Sequence, residues 1–178
     1  MTQGFINPLT IPIPINQGGT GTIDGNLSLM NGTSIGTTTN NNAAVGQIGE
    51  VISNSGSGVA LSTSTPINIC SVSLTPGDWD LWANIIYTPT SSTVVSCIVA
   101  TINTTSATLP SVTNGYSAYT QILYNNGAGG TTGGQHALPA GKIRISIAST
   151  TTVYLIGYCN FNTSTLTCNG YIYARRAR

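Results

Sequence analysis

From about Ala44 onward the chain is written in strand-length apolar runs separated by turn clusters. No stretch of ten or more residues carries the 3.6-residue period of an amphipathic helix. That pattern restricts the fold to an all-β architecture. Strands are expected near 48–53, 67–74, 79–88, 94–103, 117–124, 142–148, 151–161 and 166–175. The separators have turn chemistry: Asn54-Ser-Gly-Ser-Gly58, Pro76-Gly77, Asn114-Gly115 and Pro139-Ala-Gly141. Strands at this spacing, in about 135 residues able to bury their own core, predict an antiparallel β-sandwich, jelly-roll-like, over residues 44–178.

Residues 1–43 read differently. Pro8, Pro12 and Pro14 forbid a regular helix and leave an extended backbone, on which Ile11, Ile13 and Ile15 form a narrow apolar strip. Such a strip has no core of its own. It is expected to lie against another chain, with Asn7, Gly18, Gly19, Thr20 and Gly21 completing the anchoring segment and Asn40-Asn-Asn42 as a hinge.

Only 5% of the residues are charged, against roughly 25% in typical globular proteins. The exposed surface is therefore polar but almost neutral. A net charge of +1 gives no long-range attraction to nucleic acid or to an anionic membrane, and no apolar run reaches the ~20 residues of a membrane span. No secretory leader pattern is visible, so synthesis in a reducing cytoplasm with four free thiols is the expectation for Cys70, Cys97, Cys159 and Cys168. Their spacing suits no metal, and His136 stands alone in a Gly-rich stretch, so neither a metal nor a cofactor is expected.

The last two runs can be paired as a hairpin around Thr163-Ser164. Phe161 then faces Leu166, Cys159 faces Cys168, Gly157 faces Gly170, Leu155 faces Ile172 and Val153 faces Ala174. The opposite face of that hairpin carries Tyr154, Ile156, Tyr158, Tyr171 and Tyr173. In the run 79–88, Trp82 and Ile86 stand on the face opposite Trp79, Leu81 and Ile85. Strands apolar on both sides point to a second buried surface, and these seven residues are the expected subunit interface. A competing reading stacks the tyrosines on sugar rings. The long glycine-rich stretch suggests a surface loop, with Asn125, Asn126, Gly129, Gly130, Gln135 and His136 as candidate contacts for an outside partner.

Catalytic equipment is sparse. The carboxylates are Asp24, Glu50, Asp78 and Asp80. Asp78 and Asp80 share one side of an extended strand, which suits pairing with arginines better than attack across a substrate. A Ser-His-Asp arrangement would have to use His136. An enzyme is not expected.

Ile13-Pro-Ile-Asn-Gln-Gly-Gly-Thr-Gly-Thr22 resembles the glycine-threonine segments of bacteriophage tail fibres and other virion appendages. Val45–Glu50, Leu74–Asp80, Thr104–Pro110, Ser149–Leu155 and the closing Ala174-Arg-Arg-Ala-Arg178 resemble a β domain at the ends of phage fibre and spike proteins. The resemblance implies a homotrimeric, non-enzymatic protein on the virion surface. Its N-terminal arm would dock on capsid, neck or tail proteins, and its head would face outward for host attachment, host-surface glycan included. A capsid decoration or head-fibre protein that stabilises the shell without recognising a receptor is the alternative.

Overall fold

The computed structural model describes residues 40–111, 118–124, 131–132, 134–162 and 164–178. The arm residues from Asn7 to Gly21, and the loop candidates Asn125, Asn126, Gly129 and Gly130, lie outside the described residues. Residues Asn41–Arg178 form one compact unit.

The described chain contains the strands β1 (Val51–Leu61), β2 (Ile67–Leu74), β3 (Gly77–Pro89), β4 (Val94–Asn103), β5 (Tyr119–Leu123), β6 (Thr131–Thr132), β7 (His136–Ile147), β8 (Thr151–Asn162) and β9 (Leu166–Arg176). They make two antiparallel sheets: β1-β9-β3-β7, and β2-β8-β4-β5 with β6 added beside β4. The pairings are nested: β1 with β9, β2 with β8, β3 with β7, β4 with β5. A long antiparallel ribbon rolled across two sheets has this order, which is a jelly roll. The expected β-sandwich is therefore what forms.

Its core lies between the sheets. Trp79, Leu81, Ile85 and Tyr87 of β3 and Ile172 and Ala174 of β9 meet Leu74, Ile98, Ala100, Val153 and Leu155 from the other sheet, all buried. The Tyr87 hydroxyl crosses the sandwich to donate to the Val99 carbonyl at 2.5 Å, so burying the ring leaves no orphan hydroxyl.

The hairpin expected for the last two strands does not form. β8 pairs with β2 and β4, while β9 pairs with β1 and β3, so the connection around Ser164 crosses from one sheet to the other. The inward sets were nevertheless correctly grouped. Val153, Leu155 and Cys159 face Leu166, Cys168, Ile172 and Ala174 across the core rather than across a ladder. Gly157 and Gly170 likewise do not pair. They clasp Ile69: a Cβ at Gly170 would meet Ile69 Cγ2 at 2.7 Å, and one at Gly157 would meet Ile69 Cδ1 at 3.1 Å. Both positions lack side chains because a third residue occupies the space.

Two expected turns are bulges instead. β1 runs through Ser53–Gly58, with register slipping between Gly56 and Val59, and β7 runs through Pro139–Gly141, with Ala140 as the extra residue opposite Ala83/Asn84. Gly58 and Gly141 take positive φ (63° and 83°), the conformation a bulge residue often needs. Pro139 is tolerated because β7 is an edge strand.

Candidate functional site

The outward side of β1-β9-β3-β7 can be read in rows across the sheet, because antiparallel partners share a face. Lys142, Trp82, Tyr173 and Ser53 form one row; Pro139, Asn84, Tyr171 and Ser55 the next; Ala137, Ile86 and Asn169 the third. Trp82 and Tyr173 stack with ring centroids 4.1 Å apart and planes tilted by 32°. Trp82 remains 39% exposed and Tyr171 45%. This contrasts with Trp79 on the inward side, which is 0% exposed.

Two adjoining grooves open on this face. One, of about 600 Å³, is lined by Trp82, Ala83, Asn84, Pro139, Gly141, Lys142 and Tyr171. The other, of about 310 Å³, runs from Ser55–Ser57 to Ile86 and Asn169. Asn84 and Tyr171 wall both. Each groove borders one of the bulges. In β1 the bulge is held by Asn169, whose Oδ1 accepts from the Ser57 hydroxyl at 3.0 Å and from the Gly58 N–H at 2.7 Å.

The rim of the same sheet carries the charges. Asp78 is buried and accepts from Arg144 at 2.9 Å and from Arg178. The Arg144 hydrogen bond, aided by those of Arg178 and Ser146, outweighs the cost of desolvation and holds the Asp78 carboxyl below its ordinary value. Asp80 pairs with Lys142 at 3.4 Å. The pairing expected for these aspartates is present, with a lysine as the partner of Asp80. Glu50 and Arg176 form a buried pair at 2.8 Å. Burial pushes Glu50 upward, but the Gly46 N–H and the Arg176 guanidinium overcome it, and its carboxyl lies below the usual range. Arg176 also donates to the Pro76 carbonyl at 2.8 Å and to Thr75 Oγ1 at 2.5 Å, and lies 4.3 Å from the centroid of the Trp79 ring. Each of the three described carboxylates therefore faces a cation at the sheet rim.

The outward side of the second sheet is built differently. Asn68, Ile156 and Thr101 share a row, flanked by Tyr158 opposite Val99 and by Tyr154 opposite Asn103. Ile156 is 0% exposed although it points away from the core that holds Leu155. The row continues to Tyr119 beside Thr101, and part of the β4–β5 connection is tied to its other end at Asn68. Asn68 Nδ2 donates to Ser106 Oγ at 2.7 Å, the Ala107 N–H donates to Asn68 Oδ1 at 2.7 Å, and Asn103 Nδ2 donates to the Thr108 carbonyl at 2.8 Å. These bonds tie Ser106, Ala107 and Thr108 to the strands at Asn68 and Asn103.

The seven residues expected on one interface are thus divided. Trp82, Ile86, Tyr171 and Tyr173 share the grooved face, whereas Tyr154, Ile156 and Tyr158 lie on the opposite side of the sandwich. Ile156 is already covered within the chain, so the expectation that it needs a second subunit for burial is corrected. Gln135 is exposed and donates to Thr88 Oγ1 at 3.3 Å. His136 is the first residue of β7 rather than a loop residue, and its Nδ1 lies 2.9 Å from the Tyr124 hydroxyl. All four cysteines are free; burial pushes Cys159 and Cys168 up to about 12, which makes them poor nucleophiles.

Asn84, Asn169 and Lys142 were missed as groove residues. Asn84 and Asn169 stand two positions from Trp82 and Tyr171 on the same side of their strands, a spacing visible in the sequence; Lys142 enters only through the β3–β7 register.

No family model matches the chain, and no curated protein matches it significantly. Among solved structures, it is similar to the infectious bursal disease virus VP2 subviral particle at 12% identity and TM-score 0.42, over 71% of this chain and 32% of that one. The T13 viral particle of the same virus gives 12% identity and TM-score 0.43, over 81% and 35%. The chain thus spans about a third of the length of those chains. Scores of this size do not establish a shared fold; the jelly-roll assignment rests on the strand order itself.

Proposed function

We propose that this chain is a structural protein of a virus particle, a short trimeric bacteriophage fibre or spike. In this reading residues 1–43 dock and trimerise it, and the jelly-roll head of residues 44–178 faces outward for host attachment. The observation that carries the reading is the grooved outward face of β1-β9-β3-β7. It leaves Trp82 and Tyr171 exposed to meet something outside the chain, while the described carboxylates are held in ion pairs at the rim. The nearly uncharged surface and the arm's proline-spaced isoleucine strip agree with a displayed module tethered at one end. Three heads on one particle site would multiply weak contacts with a host surface.

Mass spectrometry of purified virions with copy-number determination tests membership of the particle; absence from the particle overturns the reading. Size exclusion coupled to light scattering is expected to give about three times 18.3 kDa, and a monomer at micromolar concentration removes the trimer. Particles lacking the protein should lose adsorption. If they adsorb normally but lose stability, the protein is a capsid decoration instead.

A further inference from the structure

We infer that the paired grooves around Trp82 and Tyr171 form a binding site for a neutral oligosaccharide. The argument begins with shape. The two concavities adjoin along Asn84 and Tyr171, and their volumes, about 600 and 310 Å³, fall within the range of small-ligand sites. A flat apolar patch would suit a protein subunit; two shallow troughs separated by one aromatic ridge suit consecutive rings of a chain-like ligand.

Chemistry narrows the class. Trp82 is buttressed by Tyr173 at 4.1 Å, so its indole is held as a fixed platform before anything binds. Pre-organisation of this kind reduces the entropy lost on binding. A sugar ring presents a C–H face to such a platform and hydroxyls around its edge. The edge partners are at hand: the amides of Asn84 and Asn169 and the hydroxyls of Ser55 and Ser57 line the same surface. The Asn169 amide is oriented by the two bonds its oxygen accepts within the β1 bulge.

Charge argues for neutrality. Lys142 is the cation lining the grooves, and it is engaged with Asp80 at 3.4 Å. Arg144 and Arg175 stand in the neighbouring row on either side of Asp80, outside the lining of both grooves, so a charged chain would have to reach beyond the grooves to meet them. The inference rests on the reading of the domain as an attachment head for its biological use. The two fail separately, because binding is measured on the isolated chain and particle membership on purified virions.

Fluorescence supplies the test. The sequence has two tryptophans, and Trp79 is fully buried, so a ligand-induced emission change reports Trp82. The full chain is titrated with maltotetraose, cellotetraose, chitotetraose and mannotetraose, and with sialyllactose as the charged comparison. At least one neutral tetrasaccharide is expected to bind saturably, more tightly than sialyllactose. Trp82→Ala should weaken binding by about tenfold or more, measured by calorimetry because the reporter is removed, and Trp82→Phe should retain part of it. Asn84→Ala should weaken binding severalfold with an unchanged far-ultraviolet spectrum, which separates loss of a contact from loss of fold. Absence of saturable binding across the panel overturns the inference, as does binding indifferent to Trp82→Ala. So does a Trp82→Ala variant whose only change is a smaller oligomer, which assigns the face to a second copy of the chain.

Discussion

The two sheets treat their outward sides in opposite ways. On β2-β8-β4-β5 Ile156, set between Asn68 and Thr101, is buried within the chain, and Ser106 and Ala107 of the β4–β5 connection are tied to Asn68 by two hydrogen bonds of 2.7 Å. On β1-β9-β3-β7 the row through Trp82 and Tyr173 stays open, bordered by bulges that shape two grooves. Both faces carry apolar residues at outward strand positions. What separates them is a local device, a clip on one side and two bulges on the other. Apolar character on an outward strand position therefore does not by itself denote a site; exposure after folding does.

That contrast is open to attack, and the largest expected effect comes from the closed side. Ile156→Ala should cost about 2–4 kcal/mol of unfolding free energy, as for a fully buried core residue. A urea-melt loss below about 0.5 kcal/mol would mean that the row is not closed in solution. Asn68→Ala should release the clip at a smaller cost, about 1–2 kcal/mol for two lost hydrogen bonds. Hydrogen exchange should then accelerate at Ala107 and leave β3 and β9 unchanged.

The acid response sharpens the comparison from the open side, whose rim holds Asp78 and Glu50. Both have folded-state values lowered below their ordinary 3.8 and 4.5, so the stability they contribute is present above those values. It is lost as pH falls through the ordinary range and then through the lowered folded values. Denaturant midpoints should be flat from pH 7 to 5 and decline below about pH 4.5. Arg144→Gln should flatten part of that decline by removing a partner of Asp78. Smallest of all, Trp82→Ala should change stability by no more than about 1 kcal/mol while weakening saccharide binding by about tenfold or more, since the side chain is substantially exposed. A loss of several kcal/mol would make Trp82 a structural residue and close the distinction between the faces.

Much of the fold was legible along the chain. The bounds of β2 and β4 agree with the apolar runs 67–74 and 94–103, because both runs end at connections rather than at bulges. The expected run 48–53 overlaps β1 only over Val51–Ser53 and the run 142–148 covers only the second half of β7, because glycine- and proline-containing clusters mark a change of backbone direction and a bulge needs the same residues as a turn. The aromatic site was half legible. Trp82, Ile86, Tyr171 and Tyr173 could be picked out as apolar residues on the wrong side of their strands. Their separation from Tyr154, Ile156 and Tyr158 could not, since it depends on β8 and β9 lying in different sheets.

The sequence by itself determined which residues of each strand point together, down to the grouping of Val153, Leu155 and Cys159 with Leu166, Cys168, Ile172 and Ala174. Period-two alternation is a local property of the extended backbone, so it survives any choice of neighbours. Only the tertiary structure decided who the neighbours are: β8 beside β2 and β4, β9 beside β1 and β3, and Ile69 filling the space between Gly157 and Gly170. Strand pairing across a rolled sandwich joins residues more than a hundred positions apart, as Val51 meets Arg175, and it is fixed by how the whole core packs rather than by any one run.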